Sequence, residues 1–110
     1  HYLANKKYYL VKATYNRKIA HDRLRLYLLQ YYQSHPCVDC GEADPVVLEF
    51  DHLDPSEKKR GGVAAVVASS RSVKALEEEI DKCRVLCANC HRRWTNRQRG
   101  TWRWRLLYDL

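Results

Sequence analysis

The stretch Leu48-Glu49-Phe50-Asp51-His52-Leu53-Asp54-Pro55 decides how the chain is read, together with a distant partner, Leu86-Cys87-Ala88-Asn89-Cys90-His91. The first sets a carboxylate beside an imidazole at the end of an apolar run. Val46 to Phe50 is rich in β-branched and apolar residues and predicts a strand that the Asp54-Pro55 break ends. The second stretch sets an imidazole directly after the last cysteine of a Cys-x-x-Cys pair.

An earlier pair, Cys37-Val38-Asp39-Cys40-Gly41, completes a set of four cysteines. Two cysteines separated by two residues reach one tetrahedral ion if the backbone turns tightly, and Gly41 permits that turn. Four thiolates fill a tetrahedral ion, so Cys37, Cys40, Cys87 and Cys90 predict a closed, structural zinc site. A redox motif is the poorer reading: there are two copies, and neither lies in a thioredoxin-like βαβ pattern. Cys83 is left over, and reads as a small buried residue rather than a fifth ligand. Paired Cys-x-x-Cys motifs with one odd cysteine point to a metal site in a reducing compartment such as a cytoplasm.

Working outward, residues 15–34 show a helical pattern, with Tyr15 and Ile19, then Leu24 and Leu28, each four apart. Pro36 stops it. Tyr8 to Val11 reads either as a short strand or as the first turns of a helix. Residues 54–62 are a polar loop, and Val63 to Ser70 carries no clear period. Ser72 predicts the N-cap of a helix over 73–82, on which Glu77, Glu78 and Glu79 read as solvated. Arg84-Val85-Leu86 predicts a short strand. Ala88 to Arg99 predicts a helix ended by Gly100. Thr101 to Tyr108 fits a docking strand, a docking helix, or an aromatic-basic arm that stacks on nucleic acid.

The chain has 110 residues and a net charge of +7. Residues 1–35 hold seven Lys or Arg against one acid, and 92–105 hold six Arg and no acid. Residues 37–91 hold eleven acids against seven bases. Basic ends around an acidic middle suit a protein whose ends grip phosphates while its middle holds a cation. A basic surface kept for solubility is the bland reading, but Arg interleaved with Trp and Tyr is not the usual solubility composition. No apolar run approaches a membrane span, and the start has no apolar signal core. The chain contains no Met, so residue 1 is not the expected natural start.

The ordered set Cys37-x-x-Cys40-Gly41, Leu48-Glu49-Phe50-Asp51-His52, Asp54-Pro55, Lys58 or Lys59, Cys83 and Leu86-Cys87-Ala88-Asn89-Cys90-His91-Arg92-Arg93 resembles the HNH endonucleases. The likeness covers roughly residues 36–95 and is greatest to the small zinc-containing kind of bacteria and phages. The resemblance implies an α+β fold with a small ββα-metal core over 36–99. A basic helical arm (1–35) and a basic-aromatic tail (100–110) would flank it. It implies that His52 is the general base activating water, and that Asp51 and His91 ligate a catalytic Mg²⁺ or Mn²⁺. Many members carry an Asn shortly before the third cysteine, where this chain has Asp81-Lys82-Cys83. Asn89 is the nearest Asn, and is the candidate to orient His52 or the knuckle backbone, or to cap the helix. In a regular strand Asp51 and His52 face opposite ways, so serving one phosphate would need a twist there.

DNA is the expected partner. Arg17, Lys18, Arg23, Arg25, Lys58, Lys59, Arg92, Arg93, Arg97 and Arg99 are the candidate phosphate contacts, which position a duplex without reading its sequence. The expected activity is metal-dependent phosphodiester hydrolysis, by nicking as a monomer or double-strand cutting as a dimer. The alternative is a zinc-stabilised DNA-binding module that does not cut. On the cutting reading, replacing Cys37 or Cys87 unfolds the domain, whereas His52→Ala leaves its stability nearly unchanged.

Overall fold

The computed structural model describes residues 2–58, 61–69 and 72–108, with side chains from residue 5 onward. Lys59 therefore lies outside the described residues. The chain opens on one long helix, α1 (Tyr2–Ser34). No Gly or Pro interrupts this run, and Pro36 ends it. Tyr8 to Val11 is thus helical, not a strand. Thirty-three residues make a helix of about 50 Å, which draws the molecule out to 75 × 27 × 21 Å.

Strand β1 (Leu48–His52) begins two residues later than the apolar run suggested. The Asp44 carboxylate accepts from the Val46 N–H at 3.0 Å, and Pro45 opens a single 3₁₀ turn over Pro45–Val47. A second such turn, Pro55–Glu57, follows β1 and is capped in the same way by Asp54. Helices α2 (Gly62–Ala68) and α3 (Val73–Ile80) come next. Ser72 caps α3 as expected, its Oγ accepting from the Ala75 N–H at 3.1 Å. Strand β2 (Cys83–Cys87) runs straight into α4 (Ala88–Arg99). Gly100, at φ +59°, ends α4 in the left-handed conformation that an L side chain resists. The tail is a helix, α5 (Trp102–Tyr108).

The fold is mixed helix and strand. β1 and β2 pair antiparallel, with Leu48 opposite Cys87, Phe50 opposite Val85, and His52 opposite Cys83. Helix α4 packs on both strands, and the second half of α1 packs on α2 and α3. Leu24, Val63, Val66, Val67, Leu76 and Ile80 form one buried cluster. Cys37, Leu48, Val85, Leu86, Cys87 and Cys90 form another. Tyr31 and Phe50 touch both clusters and join them, their rings 5.6 Å apart. No helix is long and apolar enough to cross a membrane among the described residues.

Candidate functional site

The sulfurs of Cys37, Cys40, Cys87 and Cys90 all lie within 4.8 Å of one another. The first knuckle is closed by the Gly41 N–H donating to the Cys37 carbonyl and the Cys37 N–H donating to that of Glu42, both at 2.9 Å. Gly41 sits at φ +80°, which is why glycine follows the second cysteine. The Val38 N–H donates to the Val85 carbonyl at 3.0 Å and ties this knuckle to β2. Cys87 caps α4, its sulfur accepting from the Cys90 N–H at 3.4 Å. All five cysteines are free thiols.

This cluster can hold a metal ion. Sulfurs bound at about 2.3 Å around a tetrahedral ion stand about 3.8 Å apart. The Cys40 and Cys87 sulfurs are 3.7 Å apart. Burial pushes the Cys37 thiol up, but the backbone N–H groups of Cys87, Cys40 and Asp39 and the Cys40 side chain outweigh it and pull it down to about 6. Cys90 is pushed up to about 12, by its hydrogen bond with Cys87 and then by burial. Cys83 stands outside the cluster, its thiol donating to the Glu79 carbonyl at 3.4 Å.

The strand alternation then sorts the remaining residues. Glu49 and Asp51 leave β1 on the side of α4 and meet His91. The His91 Nε2 lies 3.4 Å from Asp51 Oδ1, and its Nδ1 lies 2.5 Å from Glu49 Oε2. The second Asp51 oxygen accepts from Arg84 Nε at 3.0 Å. Arg84 also lies 4.6 Å above the Trp94 ring. Two cis positions on a small octahedral cation are about 3 Å apart, so Asp51 and His91 can share one divalent ion. Among the described residues no third ligand group closes around them.

His52 leaves β1 on the other side. No twist brings it round to Asp51 and His91. Its Nε2 lies 2.8 Å from Glu79 Oε1, and Lys82 Nζ donates to Glu79 Oε2 at 3.1 Å. The Glu79 side chain is 0% exposed and that of His52 only 9%. Glu79 is therefore not solvated, which corrects the expectation for the three-glutamate run. His52 is thus half-buried and bonded to Glu79, not a free side chain at an open site. Gly62, at φ +62°, opens α2 against the imidazole, where a Cβ would stand 3.4 Å from His52 Cε1.

Glu49, Glu79 and Arg84 are the site residues that the sequence did not single out. Glu49 carried a signal, since it lies two residues before Asp51 and so shares its face. Asn89 is exposed, and lines a cleft of about 500 Å³ with Glu49, His91, Arg92 and Asn96. This cleft sits on the Glu49 side of His91, away from His52. Arg92, Arg93, Arg97 and Arg99 are exposed along α4, and Arg17, Lys18, Arg23 and Arg25 along α1. Lys58 is exposed beside Gly62.

No protein-family model, curated protein or solved structure matches the chain.

Proposed function

We propose that this chain is a metal-dependent DNA endonuclease or nickase of the HNH type. The observation that carries the reading is the 3.4 Å approach of His91 Nε2 to Asp51 Oδ1, beside a cluster of four cysteines and below an arginine-rich helix. On this reading zinc fills the cysteine cluster and holds the start of α4 against β2, which fixes His91. Two antiparallel strands and the following helix then correspond to the ββα-metal core. A divalent ion on Asp51 and His91, Mg²⁺ or Mn²⁺, would supply positive charge for the scissile phosphate.

The protein groups have separable tasks. Glu49 accepts from His91 Nδ1–H and so leaves Nε2 free to ligate. Glu79 accepts from His52 Nε2–H and leaves the Nδ1 lone pair; on this reading the scissile phosphate would span the end of β1, between that lone pair, the proton acceptor for water, and the ion on Asp51 and His91. Lys58, α1 and α4 hold the phosphate backbone by charge.

One observation favours the second reading, a zinc-stabilised DNA-binding module that does not cut. Arg84 already neutralises Asp51 at 3.0 Å, and His52 faces the opposite side of the strand. Plasmid nicking with Mg²⁺ or Mn²⁺ separates the two. The nuclease reading expects nicks that EDTA abolishes and that His91→Ala, shown folded, lacks. Intact supercoiled plasmid across several divalent metals, with retained DNA binding, supports the module instead.

A further inference from the structure

The outward face of α1 carries a second apolar stripe that the domain does not use. At about 100° per residue, Leu24, Tyr27, Leu28 and Tyr31 point one way, into the buried cluster. Tyr8, Val11, Tyr15, Ile19, Leu26 and Leu29 point the opposite way. Each of these six is between 41% and 63% exposed. Single exposed apolar residues are ordinary. Six in one sector of about 80°, along about 32 Å of helix, are not.

The spacing points to another helix as their cover. Taken with Asp22, the positions advance by steps of 3, 4, 4, 3, 4 and 3. The mean step is 3.5, the period at which one helix keeps a seam against another. We infer that this stripe is the seam of an antiparallel helix pair made with a second copy of the same chain.

Self-complementarity carries the antiparallel arrangement. The steps read nearly the same from either end. Reversed against itself, the seam sets Tyr8 by Leu29, Val11 by Leu26, and Ile19 near its own copy. Its one polar member, Asp22, then meets Tyr15, whose hydroxyl donates to a carboxylate. A parallel pair would instead set Asp22 against Asp22 in a desolvated seam. The six side chains expose on the order of 600 Å² per copy, near the ~800 Å² that each partner buries in a standard interface. The stems of the bordering Lys12, Lys18, Arg23 and Arg25 add to it. These borders are basic, and among the described residues only Arg25 of them pairs with an acid, Asp22 at 3.8 Å. The pair therefore tightens as salt rises, because the dominant flank interaction is repulsion.

The test is sedimentation equilibrium of the whole metal-loaded chain without DNA, in low and high salt. The wild type should give the mass of two chains, with tighter association in high salt. Val11→Glu and Leu26→Lys should each weaken pairing about 100-fold or more, with helix content and bound metal unchanged. The double variant carrying both should pair again, because each Glu faces a Lys only in the antiparallel register. A wild type that stays monomeric in both salts overturns the proposal and leaves the stripe to another partner. Single variants that pair like the wild type overturn it as well. So does a double variant as monomeric as the singles.

Discussion

His52 Nε2 sits 2.8 Å from a carboxylate oxygen of Glu79, an acid fully removed from solvent. A buried acid is costly unless it is hydrogen-bonded and paired. His52 and Lys82 satisfy this one from two sides. The pair is thus a structural joint between β1 and α3 as well as a candidate proton relay.

Glu79→Gln keeps the shape and removes the charge. It should cost about 1–3 kcal/mol in urea unfolding, the worth of a charge-assisted bond. It should also lower nicking about 10-fold to 100-fold, because the Gln amide offers an N–H₂ donor as well as its acceptor oxygen and carries no charge, so it no longer fixes the imidazole tautomer. His52→Ala should lose activity further and also be destabilised, since Glu79 then keeps one partner fewer. Unchanged unfolding in both variants would show that the joint contributes nothing.

Glu49 behaves differently because its side chain is 47% exposed. Glu49→Gln should leave the unfolding midpoint within about 0.5 kcal/mol of wild type. It should raise the divalent-ion concentration that nicking needs by about 10-fold to 100-fold, as loss of an outer partner of a ligating histidine does. The measurement is the Mn²⁺ concentration at half-maximal rate. A large stability loss with an unaltered metal requirement would make Glu49 a structural group only.

Much of this was legible in the chain, and what was not has physical causes. The limits of α4 followed from the Cys87/Cys90 knuckle at one end and Gly100 at the other, and the structure adds that Cys87 caps the helix. Ser72 marked α3 in the same way. The run Val63 to Ala68 was not legible, because small apolar residues without a polar face show no period. Its helix forms against α1 and α3, on Leu24, Leu76 and Ile80. Glu79 was hidden for a related reason. Nothing local separates it from Glu77, which accepts from the Tyr27 hydroxyl at 3.3 Å on the exposed side. What buries Glu79 is a histidine 27 positions away, a relationship that only the folded sheet creates. The facing of Asp51 and His52 was readable from strand alternation alone, and the structure keeps it regular.

The four cysteines make a sharper demand. A structural metal in such a site contributes apparent binding energies of about 10–16 kcal/mol, comparable with or greater than the ~5–15 kcal/mol that holds a domain together. Cys37→Ser or Cys87→Ser should therefore abolish the cooperative transition and the bound metal together. Chelation should do the same to the wild type. Cys83→Ser, outside the cluster, should keep one metal per chain by elemental analysis. Retained folding in the two ligand variants, without metal, would mean that the buried Leu48, Val85 and Leu86 suffice.

Cys83 gives the pH test. Burial, then the charges of Glu79 and Asp51, push its thiol from 9.0 up to about 11. The folded chain therefore holds this proton more tightly than the unfolded chain. The resulting stabilisation is complete below pH 9 and is lost as pH rises through about 11. Unfolding free energy should fall across that window more steeply in wild type than in Cys83→Ala, with metal bound in both. Subtracting the two profiles removes titrations that do not feel Cys83 and keeps those coupled to it, Tyr31 and Tyr32 among them, whose hydroxyls the Cys83 charge pushes up. A parallel pair of profiles would show that Cys83 ionises alike in both states, and that neither its burial nor the Glu79 charge reaches it.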